Sequence, residues 1–368
     1  MPSPKNPSGK PRILVAPLDW GLGHATRCIP VIYELLAQNV EVWLAGEGAQ
    51  ETLLTKEFPA LPFLHLQGYR VKYARTGAGL LRTLLFQLPA LKQSIKRENE
   101  WLKQMVKEHG FDAVISDNRF GLYHSSVPSI FITHQLRIKS PFGNWTETIL
   151  QKSNYKFINH FTACWVPDHE FVNDLAGELS HPQNKPTIPI AYTGFLSRLK
   201  KTNVAEKKDH LFISLSGPEP QRSLLEDKLV NQLSHYNGTA TVVRGLPDNE
   251  NIIPSTNDIR FYNHLPTDEY GTEMEKAEYV ISRSGYSTVM DLATLGKKSI
   301  LIPTPGQTEQ EYLAKYLEEK QIACSADQKS FLLNEVLEKA KQFVYKPVND
   351  MESSVAKTVS SLLSTLSK

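Results

Sequence analysis

Short apolar runs rich in β-branched residues alternate with longer amphipathic segments along most of the chain. In the first half these runs are RILVAP, VEVWLAG, FDAVISD, PSIFITH and TACWVP, and in the second half HLFISLS, TATVVRG, DIRFY, EYVIS and KSILIP. Strands that alternate with helices are typical of parallel sheets joined by right-handed crossovers. The pattern therefore predicts an α/β protein with two Rossmann-like parallel-sheet domains that face a cleft.

A polar, lysine-rich segment, LSRLKKTNVAEKKD, separates the two sets of apolar runs. It predicts a linker over residues 197–209, between an N-terminal domain at 11–196 and a C-terminal domain at 210–346. The last segment, 347–368, has apolar residues at helical spacing, which predicts a C-terminal amphipathic helix. Its own residues leave open which of the two lobes it packs on.

Charge and cysteine content exclude several classes of protein. The 41 basic and 39 acidic side chains nearly cancel, so we do not expect nucleic acid as a partner. Three cysteines without a CxxC spacing favour a reducing compartment. The Pro- and Ser-rich start is unlike a signal peptide, and no run approaches the roughly 18 apolar residues of a membrane span. We therefore expect a cytoplasmic protein.

The stretch ISRSGYSTVMDLATLG carries a turn and a helix behind a predicted strand. Loops that follow parallel strands emerge at one edge of the sheet, where α/β proteins bind ligands. The predicted helix runs from about Ser287 to Leu295 and ends at Gly296; its free amide groups, reached through Gly285, suit a phosphate. Asp291 lies on the side of the turn, where a carboxylate could accept hydrogen bonds from ribose hydroxyls. An ordinary capped helix with a solvated acid is the alternative.

The segment SRSGYSTVMDLATLGKKSILIPTPGQTEQEYLAKYLEEKQIA resembles the C-terminal donor-binding segment of the family 28 glycosyltransferases, which have the GT-B fold. The resemblance implies a nucleotide sugar as ligand, with UDP as the expected nucleotide. It places Ser284 and Gly285 beside the diphosphate, Asp291 at the ribose, and Glu309 and Gln310 at the transferred sugar. Asp291 stands where the best-known members have Glu, so the donor sugar stays open.

Two further loops match the family in position. SGPEPQRS resembles its glycine-rich phosphate loop, which implies that Gly217 and Arg222 contact phosphate. Two prolines in this loop lack an amide N–H, and a proline-rich helix start with a surface arginine is the alternative. NHLPTDEY corresponds to the loop that touches the base, which implies that His264 and Leu265 lie near uracil.

The N-terminal loop GLGHAT is similar to a dinucleotide-binding fingerprint, but Thr26 replaces its third glycine. A nicotinamide-dependent dehydrogenase is therefore disfavoured. We expect Gly21 and Gly23 to open space for an acceptor and His24 to take a proton from the acceptor hydroxyl, since imidazole titrates near neutrality. A helix-capping or packing role is the alternative for His24.

Other polar residues follow strands at the same predicted edge. Asp117 is the rival candidate for the base, and Asn118 and His134 are candidate acceptor contacts, although such residues are also common in turns. No Asp-x-Asp pair occurs in the chain, so we expect neither a metal site nor a cofactor.

The segment 69–101 mixes arginines and lysine with leucines and phenylalanine. Such a segment could rest on anionic lipid at the inner face of a membrane and would suit a lipid-linked acceptor. Helices with basic outer faces that cover the sheet are the alternative. The sequence thus predicts an inverting, metal-independent hexosyltransferase acting on a sugar or lipid-linked acceptor. A sugar-nucleotide epimerase or hydrolase and a non-catalytic nucleotide-sugar-binding protein remain the rivals.

Overall fold

A computed structural model describes residues 9–69, 77–247, 249–348 and 354–366 of the chain, without the side chains of 77–89. The chain divides into two compact units. The first runs to Leu196 and includes the C-terminal helix, and the second begins at Ser197. Much of the basic, apolar segment for which we predicted a membrane contact, residues 70–76 and the side chains of 77–89, lies outside the described residues.

The first unit is built on a seven-stranded sheet in which every neighbouring pair of strands is parallel, as the alternating pattern predicts. Its strands lie in the order β3-β2-β1-β4-β5-β6-β7, so the order reverses between β1 and β4. They are β1 (Arg12–Pro17), β2 (Glu41–Gly46), β3 (Phe63–His65), β4 (Ala113–Asp117), β5 (Ser129–Ile132), β6 (Ala163–Val166) and β7 (Ile190–Tyr192).

Helices cover this sheet because its central strands are apolar on both faces; Ile13, Leu14 and Val15 in β1 have no exposed surface. The helices are α1 (Leu22–Ala37), α2 (Ala49–Glu57), α3 (Gly77–His109) and α4 (Asn144–Ile158), with a 3-10 turn at Gly177–Leu179.

The second unit repeats the architecture with six parallel strands in the order β10-β9-β8-β11-β12-β13. Its strand order reverses between β8 and β11. The strands are β8 (Lys207–Ser214), β9 (Thr239–Val243), β10 (Ile259–Tyr262), β11 (Ala277–Ser282), β12 (Ser299–Leu301) and β13 (Cys324–Ser325). The helices are α5 (Gln221–Leu233), α6 (Thr267–Lys276), α7 (Tyr286–Leu295), α8 (Thr308–Glu319) and α9 (Leu333–Gln342).

The C-terminal helix α10 (Val355–Leu366) packs on α1 of the first unit, although it follows the second unit in sequence. Its buried face contains Val355, Val359 and Leu362. The side-chain amide of Gln38, at the end of α1, donates a hydrogen bond to the carbonyl of Ala356 at 3.0 Å. The structure thus answers which lobe receives this helix.

Within the described ranges, no helix combines the length and apolar character required to cross a membrane.

Candidate functional site

The reversal of strand order in the first sheet brings together residues that are about ninety positions apart. Parallel pairing sets Pro17, the last residue of β1, beside Asp117, the last residue of β4. The loop after β1 leads into α1, which carries His24 in its first turn. Open α/β sheets bind ligands at such a switch point.

Arg27 lies at the centre of this cluster and was missed by the sequence analysis. Its guanidinium pairs with both carboxylate oxygens of Asp117, and its Nε donates to Oδ2 at 2.8 Å. Its Nη2 lies 2.9 Å from Nδ1 of His24 and its Nη1 lies 3.2 Å from Nδ1 of His134. The spacing of His24 and Arg27 could have indicated this contact, because residues three positions apart on a helix share a face.

Asp117 is fully buried and holds a negative charge. Burial alone would raise its pKa, but the charges and hydrogen bonds of Arg27 and His24 outweigh burial and lower the pKa to about 2. A carboxylate with so low a pKa is a weak base at neutral pH and suits the orientation of its neighbours. Its predicted role as the base stays a prediction, which these surroundings disfavour.

His24 keeps 16% of its side-chain surface exposed, unlike Asp117. Burial and the charge of Arg27 lower its pKa, although the charge of Asp117 opposes them, so the ring is neutral at pH 7. Its Nδ1 faces a donor, Arg27, and an acceptor, Asp117 Oδ1 at 3.4 Å. Because a guanidinium can only donate, the shorter contact makes Nδ1 an acceptor and leaves the ring hydrogen on Nε2. Nε2 can take a proton only in the other tautomer, in which Nδ1 carries its hydrogen towards Asp117.

The predicted acceptor residues lie at the same edge of the first sheet. Gly21 precedes α1 with φ of 83°, a left-handed conformation that favours glycine, and Gly23 lies in the first turn. Asn118 follows β4 with φ of 57°, and its amide donates to the carbonyl of Ile132 at 3.2 Å. His134 is buried, and its contact with Arg27 connects it to His24 and Asp117 at this edge of the sheet. Their contact with an acceptor stays a prediction.

In the second unit the reversal lies between β8 and β11, and the loops that follow these strands carry the predicted donor site. Helix α7 ends at Gly296 with φ of 66°, as predicted from the sequence. Its N-cap residue is Gly285, which has no side chain to cap the helix. Gly285 is half-buried, and a Cβ at that position would meet nothing within 4 Å. The amide groups there are suited to an anion.

Ser284 and Gln310 are brought into direct contact. The buried Ser284 hydroxyl donates to the carbonyl of Gln310 at 2.8 Å. The Gln310 side chain accepts a hydrogen bond from the amide of Thr304 at 2.9 Å. Glu309 is half-buried in the first turn of α8. In this structure Ser284 and Gln310 hold the loops after β11 and β12 together, and their predicted contacts with the donor stay predictions.

Asp291 is 7% exposed and accepts a hydrogen bond from the Ser197 hydroxyl at 2.6 Å. Burial raises its pKa to about 6, although Arg198 and Ser197 oppose the change. One of its oxygens is thus already bonded within the unit, a contact that the sequence did not predict. Its predicted contact with a ribose would have to use the second oxygen or displace Ser197, and it stays a prediction.

We expect Asp291→Asn to stabilise the unliganded protein at pH 8. A raised pKa means that the folded state holds a proton more tightly than the unfolded chain, so this group lowers stability as pH rises from about 4 to 6. A rise of about two pKa units lowers the free energy of unfolding by up to about 3 kcal/mol above pH 6. Asp291→Asn removes the ionisable group and would therefore restore this amount. Urea unfolding at pH 4 and 8 measures the difference. Exposed Asp258→Asn is the control, and an equal gain at pH 4 would contradict the explanation.

The guanidinium of Arg222 forms ion pairs with carboxylates that lie close to it in sequence. Its Nε donates to Glu219 at 2.6 Å and its Nη1 to Glu226 at 2.5 Å. The predicted phosphate contact of Arg222 gains no support from this geometry, because two carboxylates already neutralise its charge.

The neighbouring predicted residues differ in exposure. Gly217 is exposed with φ of 103°, which favours glycine. His264 is half-buried, and the side chain of Leu265 is buried, so Leu265 could meet a base only through its backbone. Across the described ranges, no group of three or more His, Cys, Asp or Glu side chains could hold a metal ion.

Residues 249–366 match the glycosyltransferase family 28 C-terminal domain. A segment of 54 residues is 41% identical to the UDP-N-acetylglucosamine--N-acetylmuramyl-(pentapeptide) pyrophosphoryl-undecaprenol N-acetylglucosamine transferase of Rhodopseudomonas palustris strain HaA2. That alignment spans 15% of this chain and 13% of the relative. The corresponding transferase of strain BisB18 is 43% identical over the same length.

Solved structures of glycosyltransferases share the fold of the whole chain. SnogD from Streptomyces nogalater aligns with a TM-score of 0.64 and 14% identity, over 97% of this chain and 100% of its own. MurG of Acinetobacter baumannii aligns with a TM-score of 0.53 and 12% identity, over 97% of this chain and 99% of its own. The chain therefore has the GT-B fold, and by its C-terminal domain it resembles the family 28 glycosyltransferases.

Proposed function

We propose that this protein transfers a hexose-type sugar from a UDP-linked donor to an acceptor hydroxyl, with inversion and without a metal ion. The observation that carries the proposal is the N-terminus of α7, whose N-cap residue is Gly285 and which lies at the switch point of the second sheet and inside the segment that matches family 28. Its amide groups would bind the diphosphate, and Asp291 would bind the ribose.

In the proposed reaction His24 acts as the base. Its Nε2 takes the proton from the acceptor hydroxyl while the acceptor oxygen forms a bond to the anomeric carbon. The bond from that carbon to the diphosphate oxygen breaks, and its electron pair leaves with the nucleoside diphosphate. Attack opposite the leaving group inverts the configuration. The amides before α7 stabilise the charge that develops on the leaving group.

The acceptor class rests on the curated relatives. Their names describe a transfer of N-acetylglucosamine to a pyrophosphoryl-undecaprenol acceptor. We extend this class to the present chain as a lipid-linked sugar, reached by peripheral contact with the inner face of the cytoplasmic membrane. The replacement of Glu by Asp291 leaves the donor sugar to experiment.

The proposal is tested by thermal shifts with UDP, GDP, dTDP and NAD, followed by assays of UDP release from UDP-sugars. A ligand present at 100 times its Kd stabilises the folded state by about 2.7 kcal/mol, which a melting curve resolves. We expect UDP to raise Tm more than the other three ligands. A larger effect of NAD would contradict the proposal. Binding of UDP-sugars without turnover in the presence of lipid acceptors would favour a sensor.

A further inference from the structure

Arg283 is a buried cation at the reversal point of the second sheet. It follows β11 directly and is 1% exposed. Its Nη1 donates to the carbonyls of Ile302 and Pro303 at 3.2 and 3.3 Å, and its Nη2 donates to the carbonyl of Gln221 at 2.7 Å. These contacts tie together the loops after β8, β11 and β12. Every acceptor is an uncharged carbonyl.

The Nε of Arg283 has no hydrogen-bond partner among the described residues, although it is buried. The hydroxyl of Thr304, which is also 1% exposed, lacks a partner in the same way. Both groups lie beside Gly217: a Cβ on that glycine would be 3.4 Å from the Thr304 hydroxyl and 3.8 Å from Nε. Two unsatisfied polar groups thus lie together under a loop whose glycine is exposed.

The other buried arginines of the described residues differ from Arg283 in one respect. Each has a carboxylate partner, at 2.8 Å or less: Arg27 pairs with Asp117, Arg119 with Glu98, and Arg222 with Glu226. Arg283 makes no ion pair with any residue that the structure describes. Burial lowers its pKa to about 10, and no carboxylate opposes this effect. An unpaired buried charge is costly, so an anion bound beside Arg283 would stabilise it.

We propose that Arg283, together with Thr304, supplies the counter-charge for a phosphate group bound on the exposed Gly217 loop. The inference rests on the proposed function, in which this phosphate belongs to the diphosphate of the donor. It assigns the cation of the phosphate site to Arg283 in place of Arg222. Helix α7 begins three residues after Arg283, and the amides at its N-terminus would contribute to binding the same anion.

Calorimetric titration with UDP, uridine and inorganic pyrophosphate tests this assignment. Arg283→Gln should weaken UDP binding by about 10-fold or more, because a charged hydrogen bond is lost, and should change uridine binding by less than about 2-fold. Arg283→Lys keeps the charge and should retain part of the preference for UDP over uridine. A strong fall of UDP affinity with salt in the wild type, reduced in Arg283→Gln, is the matching electrostatic signature.

Thr304→Val is a second variant that does not remove the loop contacts of Arg283. Removal of a buried hydroxyl without a partner should raise Tm of the unliganded protein, while UDP affinity falls several-fold. A purely structural role would not move these two quantities in opposite directions. Arg222→Gln is the matched control, which should lower Tm and leave the ratio of UDP to uridine affinity unchanged.

The outcomes separate this inference from the proposed function. If UDP binds and the ratio of UDP to uridine affinity is the same in the wild type, Arg283→Lys and Thr304→Val, the assignment is overturned and the function stands. If pyrophosphate binding depends on Arg283 but no nucleotide is preferred, the anion site stands and the proposed function fails. If the wild type binds neither UDP nor pyrophosphate, both fail.

Discussion

His24→Ala is expected to lower kcat by about 10²–10⁴-fold, the usual contribution of general base catalysis. The affinity for UDP should stay within about 2-fold of the wild type, because the proposed donor site lies in the other unit. Stability should also fall, since only 16% of the His24 side-chain surface is exposed and its Nδ1 lies 2.9 Å from Nη2 of Arg27, so UDP titration confirms that the variant is folded. Steady-state kinetics with a saturating UDP-sugar, together with UDP titration, measure the two effects.

The pH profile provides a second measurement for His24. Burial and Arg27 lower its pKa from 6.5, so the base is already deprotonated at neutral pH. Activity should therefore be level near pH 7 and should fall only below pH 6.5, as the ring becomes protonated. His65→Ala, whose side chain is 72% exposed, is the control and should behave like the wild type. Full activity of His24→Ala would exclude this residue as the base.

Arg27→Met is expected to destabilise the first unit by about 3–5 kcal/mol at pH 7, because it leaves Asp117 buried and unpaired. The sign of the pH effect follows from the low pKa of Asp117. A carboxyl group whose pKa is about 2 when folded and 3.8 when unfolded stabilises the protein above pH 4, and this contribution is lost as pH falls towards 2. The loss of unfolding free energy in Arg27→Met should therefore be smaller at pH 4.5, where the unpaired Asp117 can take up a proton at a lower cost.

Urea unfolding of Arg27→Met, Asp117→Asn and the double variant tests the pair directly. The double variant should be less destabilised than the sum of the single variants, since neither charge is left alone. Arg12→Met breaks a partly exposed pair with Glu41 in the same sheet and should cost about 1 kcal/mol or less. Additive effects of Arg27→Met and Asp117→Asn would contradict the coupling.

Local pattern predicted ten of the thirteen strands that the structure describes and the loops that follow them. It missed the edge strands β3, β7 and β13, which are only two or three residues long and so carry little pattern of their own. The apolar runs near His24, Asp117 and Gly285 predicted strands; in the structure a strand precedes His24 and Gly285, and β4 ends at Asp117 itself. Periodicity also predicted α7 and its end at Gly296, because the apolar stripe of this helix and the glycine that ends it are close together in sequence.

Charge pairing could not be predicted in the same way. Arg222 and Arg283 both stand in loops that resemble a phosphate site, and the sequence analysis chose Arg222. Two carboxylates pair with Arg222 in the folded chain, while Arg283 has no carboxylate partner within the described part of the chain. The difference depends on burial and on which carboxylates lie nearby, and neither is a property of the residue's immediate neighbours in sequence.

By itself the sequence determined that this chain forms two parallel α/β units and which residues stand at the ends of their strands, because these features follow from local periodicity and turn chemistry. Only the tertiary structure decided that Asp117 pairs with Arg27 across 90 residues, that Asp291 bonds Ser197, and that α10 returns to the first unit. These contacts arise from strand order and helix packing, which bring distant segments together and set the burial and the pKa of each group.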